Sequence, residues 1–181
     1  MDMQEETVVK VNTPNALAFK SALAYSIYFL VLIYIFKMAG IDQNNPNSST
    51  AEKLVSSVAS YLPFILAIVF VQTNYKKELG GFISFKTAFS AGFKVAAYAG
   101  LFIAIVLMLY YKVLDPTAFE RLIDNARDAA NGDETKLKGV EMMKSYMVFF
   151  IGFGAAITYT LLGLIASIIG ALVIKNETPV R

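Results

Sequence analysis

The sequence predicts an all-α membrane protein: a four-helix transmembrane bundle with an extramembrane helical excursion between spans three and four. The whole chain, 1–181, reads as a single integral membrane domain. Three observations predict this. Thirty consecutive residues without a charge separate Lys144 from Lys175. Three more apolar runs of membrane-crossing character precede them. The composition, 56% hydrophobic against 17% charged with a mean hydropathy of +0.55, is that of a multi-pass protein. A helix rises about 1.5 Å per residue, so about twenty apolar residues cross a hydrocarbon core of roughly 30 Å.

The first fifteen residues are polar and include Asp2, Glu5 and Glu6, whereas a cleavable signal needs a basic start and a short apolar stretch. The first apolar run is therefore expected to be a retained anchor. Thr13 and Pro14 supply an N-cap and a first-turn proline for span one, 16–39. Lys20 and Lys37 bracket only sixteen residues, so both must snorkel or the span must borrow Met38, Ala39 and Ile41. Gly40 to Thr50, rich in Asn and Ser, is a polar connection.

Span two, 54–75, lies between Lys53 and Lys76, with Tyr61 and Tyr75 at interfacial positions. Pro63 should kink it or mark its first buried turn. Gly80 and Gly81 end that helix, and Ser84 caps the next. Span three, 85–111, carries Lys94 as its one internal charge and closes at Tyr110, Tyr111 and Lys112. Asp115 and Pro116 then read as cap and first residue of a polar helix with apolar positions at Phe119, Leu122, Ile123 and Ala126. Asn131 and Gly132 end it. A second polar stretch, with Leu137, Val140 and Met143 at helical spacing, completes the polar loop 112–144 and runs without a breaker into span four, 146–174. Thirty residues make about 45 Å of helix, so span four must tilt or project into the headgroups.

The chain has no Cys and no His, which removes disulfides, thiol nucleophiles, imidazole bases and the commonest zinc and haem ligands. A net charge of +2, scattered, offers no nucleic-acid footprint. No catalytic residue, metal site or cofactor is expected. Lys and Arg counts on the two sides of a four-span model are seven and eight, and a snorkelling Lys94 makes them equal. The short lysine-dense loop Lys76 to Lys86 then favours both termini on the cytoplasmic side.

Gly80 to Phe89 reads Gly-Gly-Phe-Ile-Ser-Phe-Lys-Thr-Ala-Phe, Gly92 follows, and Tyr110 to Pro116 reads Tyr-Tyr-Lys-Val-Leu-Asp-Pro. Together with Lys76, Lys77 and the approach Glu141, Met142, Met143, Lys144, this resembles the bacterial membrane-protein family catalogued as domain of unknown function 4199. The resemblance covers all four spans, with its sharpest part about forty residues long. It implies a small inner-membrane protein without an assigned activity.

Two features stand out within the spans. Ala88, Gly92, Ala96, Gly100 and Ala104 recur every four residues, a groove for close helix approach, either with another span of the same chain or with a second copy. Gly152 with Ala156, Gly163 with Ser167, and Ala166 with Gly170 offer matching grooves on span four. Lys94 lies about 200° around the helix from Gly92 and Ala96, on a stripe with Lys86, Ser90 and Tyr98. Lys94, Ser90 and Tyr98 form a candidate polar membrane site, set against a lysine that snorkels from about 12 Å of depth. No Asp or Glu falls inside a span, which weighs against a proton- or sodium-coupled carrier. The hydroxyls of Thr158, Tyr159, Thr160 and Ser167 are expected on their own backbone or on a neighbouring helix. The expected function is a non-enzymatic interaction or assembly component. Its partners are the lipid bilayer and either a membrane protein or a second copy, and a small transporter or channel subunit using Lys94 is the alternative.

Overall fold

A computed structural model describes residues 14–41 and 48–176 of the protein. The candidate cap Thr13 and most of the polar connection before Thr50 lie outside the described residues. Among the described residues five α-helices follow in order: α1 Asn15–Met38, α2 Thr50–Glu78, α3 Phe85–Leu109, α4 Pro116–Ala129 and α5 Glu134–Ile174. A π-helical turn, Tyr110–Leu114, extends α3. Helices α1, α2, α3 with its π turn, and α5 are each long and apolar enough to cross a membrane.

The chain is apolar outward and small inward, the arrangement a bilayer selects. On α5, Phe153, Ile157, Leu161, Ile165 and Leu172 are exposed, while Gly152, Gly163, Ala166, Ser167 and Gly170 are buried. Lipid solvates large aliphatic side chains as well as a protein core does, so helix association rests on close backbone approach between small residues. Helix α3 packs chiefly on α5 and also on α1 and α2, and α2 reaches α1 and α5 in addition.

The helix ends follow local chemistry. Ser49 and Glu52 form a reciprocal capping box, which starts α2 four residues before the predicted span. Ser84 caps α3 through the Thr87 N–H. Gly80 and Gly81 both adopt positive φ, where a side chain would be strained, and there the chain turns. At this end Ile83 and Asn176 exchange backbone hydrogen bonds, and Lys76 Nζ donates to the Ile174 carbonyl at 2.8 Å, capping the C-terminus of α5.

Pro63 lies well inside α2, thirteen residues after its start at Thr50. It has no N–H, so the carbonyl of Ala59 loses its helical donor. The Tyr28 hydroxyl of α1 takes that place, donating to Ala59 O at 2.8 Å. One turn earlier on α1, the Tyr25 hydroxyl donates to the next carbonyl of α2, Ser60 O, at 2.7 Å and also approaches the Tyr159 hydroxyl of α5 at 3.2 Å. Phe64 lies against both rings, edge-on to Tyr159.

Helix α5 has 41 residues and is unbroken, so the polar stretch and span four are one rod of about 60 Å. That is twice a hydrocarbon core, and roughly its first quarter, up to Lys144, pairs with α4 as an antiparallel hairpin turned by Asn131 and Gly132, both at positive φ. Ile123 is fully buried there, with Phe119, Leu122, Ala126, Leu137 and Val140 half-buried around it. Met143 instead points outward, because the inward stripe of α5 passes through Lys144 to Val148. Arg127 bridges Asp124 and Glu141, and Lys144 pairs with Glu120 at 2.9 Å, tying the two arms together.

Candidate functional site

At the excursion end, Pro116 bars Asp115 from a helical conformation, so the helix must break there. Asp115 takes φ −146° and ψ 72° and becomes the N-cap of α4, accepting from the Ala118 N–H at 3.2 Å. The preceding π turn, closed by Asp115 N donating to Tyr110 O at 2.7 Å, is wide enough to turn Tyr110, Tyr111 and Asp115 all into the protein.

The Asp115 carboxylate is 4% exposed and gathers donors from three segments. Lys37 Nζ at the end of α1 lies 2.5 Å away, Thr117 Oγ1 at 2.6 Å and Tyr110 Oη at 3.0 Å, while an Arg121 terminal nitrogen stands at 3.7 Å. Burial pushes this carboxyl up, but the hydrogen bonds from Lys37, Thr117, Tyr110 and the Ala118 N–H overcome it and hold the group well below the usual carboxylate range. Asp115 is therefore an anion, and Lys37 is anchored by it rather than simply reaching for water.

Beside this ion pair opens a cleft of about 490 Å³ bounded by α1, the end of α3, α4 and α5. Its apolar wall includes Phe29, Ile33, Leu107 and Ile151, and Lys37, Arg121 and Asn125 line its polar part.

The residues singled out in the sequence sit elsewhere. Lys94 is half-buried, Ser90 is exposed and Tyr98 is half-buried, stacked on Phe102 and edge-on to Phe19. Lys94 lines neither the cleft nor a smaller pocket at Lys53, Ser56, Ser57, Ser60 and Tyr61. Ala88, Gly92, Ala96, Gly100 and Ala104 are all buried. A Cβ on Gly100 would stand 2.8 Å from the Ala156 carbonyl, and one on Gly163 would collide with Ala96, so α3 and α5 touch through backbone. The hydroxyls of Thr158 and Ser167 bond to the carbonyls one turn back, Gly154 and Gly163.

Sequence reasoning passed over Gln72. This amide is fully buried among α2, α3 and α5, its Nε2 donating to Ala88 O at 3.1 Å and to Ser167 O at 2.9 Å. Its Oε1 has no donor and lies against Gly170, where a Cβ would collide with it. A carboxamide within span two, directly after the apolar run Phe64 to Val71, was the available signal. Nothing local paired Lys37 with Asp115, 78 positions apart.

Among the described residues, no group of three or more His, Cys, Asp or Glu side chains is placed to hold a metal ion. Residues 20–176 match the family model described as protein of unknown function, DUF4199, and the chain belongs to that family. No curated protein and no solved structure matches the chain significantly.

Proposed function

From membership of a family without an assigned activity, we propose that this multi-pass membrane protein is a non-enzymatic interaction or assembly component, with its extramembrane hairpin as the contact element. The observation that carries this reading is the unbroken α5. One helix supplies both a span and an arm of the hairpin, so the hairpin is held rigidly relative to the bundle instead of hanging on a linker. Its charges are cross-braced by Arg127 with Glu141 and Lys144 with Glu120, which supports a preformed surface. The bacterial inner membrane, with both termini cytoplasmic and the hairpin outside, is the setting we propose. It rests on the family resemblance and on the lysine-rich turn between α2 and α3. Cysteines at Gly132 and Ser48 should then label from outside intact cells, and external labelling at Gly81 would reverse the orientation.

A photo-crosslinking residue placed at Asp128 or Lys138, on the exposed hairpin, is expected to give one discrete protein adduct in native membranes. The same residue at Ile157, on the lipid-facing side of α5, should give none. Adducts from neither hairpin position, or a diffuse ladder from all three, would refute the docking role. A small transporter or channel with a polar site at Lys94, Ser90 and Tyr98 is the other class of function, and the packing of Tyr98 against Phe19 and Phe102 lends it no support.

A further inference from the structure

We propose that the cleft beside Asp115 binds an anionic phospholipid, its phosphate held by Arg121 and Lys37 and an acyl chain lying against Phe29, Ile33, Leu107 and Ile151. The site includes Arg121 of α4, one arm of the hairpin, but does not rest on the docking role proposed for the hairpin.

Size and chemical gradient carry the assignment. At about 490 Å³ the cleft lies within the roughly 300–1,000 Å³ of small-molecule sites. Along α1 its lining runs from Phe29 through Ile33 and Phe36 to Lys37, eight residues or about 12 Å from an apolar floor to a cation, with Gly40 and Ile41 beyond it. The same order holds on α3, where Leu107 precedes Tyr110, and α4 closes the polar end with Arg121 and Asn125, one turn apart. The polar mouth lies at the end of the bundle where the spans give way to the hairpin, the level at which we place the lipid headgroups. A molecule with an anionic head and a hydrocarbon tail, standing along the membrane normal, matches that gradient at both ends. A free inorganic anion matches only the mouth and leaves the apolar wall unused.

The charges are set for a single additional anion. Lys37 and Arg121 share the one carboxylate of Asp115, so one positive charge is left uncompensated at the mouth. Lys37 is committed to Asp115 by its short contact, whereas Arg121 stands 3.7 Å from it and meets Thr117 Oγ1 at 3.5 Å. A guanidinium carries five N–H donors, so most of the Arg121 fork is unspent, and that fork fits phosphate oxygens in pairs. Anchoring Lys37 on a buried carboxylate fixes a flexible stem before any ligand arrives, which lowers the ordering cost of binding.

The test uses the full-length protein, delipidated in a mild detergent, with lipid occupancy read by mass spectrometry of the intact complex. Phosphatidylglycerol, phosphatidylcholine of the same chain length and inorganic phosphate are titrated separately, and then phosphate against bound phosphatidylglycerol. The expected result is saturation at one phosphatidylglycerol per chain, about tenfold tighter than phosphatidylcholine, and no displacement by an equal concentration of phosphate. Arg121→Gln, at an exposed position, should weaken phosphatidylglycerol about tenfold and abolish the preference over phosphatidylcholine. Ile33→Trp, which fills the apolar part, should weaken both lipids while circular dichroism reports an intact fold, and Leu107→Phe replaces it if that variant does not fold. Equal affinity for the two lipids, wild-type binding by Arg121→Gln, or displacement by phosphate alone would each overturn the assignment.

Discussion

Gly100→Ala and Gly154→Ala add the same methyl group to two membrane helices and should change stability in opposite directions. On α3, a Cβ at Gly100 would sit 2.8 Å from the Ala156 carbonyl oxygen and 2.7 Å from Thr160 Oγ1. Ordinary contact begins near 3.4 Å, so the two helices must separate by about 0.6 Å (3.4 − 2.8), and the atom in the way is backbone, which cannot rotate aside. Overpacking of this kind costs about 1–3 kcal/mol. Replacing glycine in a helix returns about 0.5–1 kcal/mol, leaving a net loss of about 1.25 kcal/mol at the middle of the two ranges (2 − 0.75). At Gly154, on the lipid-facing side of α5, a Cβ meets nothing within 4 Å, so only the gain of about 0.5–1 kcal/mol remains. For a chain of this size 1 kcal/mol corresponds to about 2–4 °C in melting temperature. Thermal unfolding of the detergent-solubilised protein should therefore place Gly100→Ala about 2.5–5 °C below wild type and Gly154→Ala at or slightly above it. Matching shifts for the two variants would refute the reasoning that α3 and α5 are held by direct backbone approach.

Three further outcomes follow from single contacts. Tyr28→Phe should cost about 1 kcal/mol in unfolding experiments, because it removes the donor to Ala59 O, and the cost should shrink in a Pro63→Ala background where residue 63 regains an N–H; equal costs in both backgrounds would reject the cap. Asp115→Asn should lose about 1–3 kcal/mol at neutral pH by stripping Lys37 and Tyr110 of a charged acceptor. Because the folded carboxyl is held below its unfolded value of about 3.9, its stabilisation is complete above that pH and fades as pH falls below it. The gap between wild type and Asp115→Asn should thus narrow below about pH 4, and a gap independent of pH would count against the ion pair. If Lys94 is a snorkelling lysine, Lys94→Arg leaves expression and melting temperature unchanged and Lys94→Leu inserts and folds normally; a loss of either on Lys94→Leu would restore a binding role to that stripe.

The sequence by itself determined membrane residence, the number of spans and most of their ends. These depend on properties of a short stretch of chain. Residence follows from the length of apolar runs such as 145–174, and helix starts follow from Ser84 and from Asp115 before Pro116. Helix ends follow from the ease with which Gly80, Gly81, Asn131 and Gly132 adopt positive φ. The four-residue repeat from Ala88 to Ala104 was visible for the same reason, because small size is a property of each residue alone. Only the tertiary structure decided which polar groups meet. A span surrounded by lipid is apolar on every side, so hydropathy does not mark its inward face, and the rotation of each helix is set by its neighbours. That rotation brings Tyr25 to Tyr159 across 134 positions and places Gln72 on carbonyls of two other helices. It also carries Lys37 onto Asp115 at the mouth of a cleft. The π turn that aims Asp115 inward has no local signature either, since a helix accepts one extra residue per turn only where the surrounding contacts repay the widened geometry.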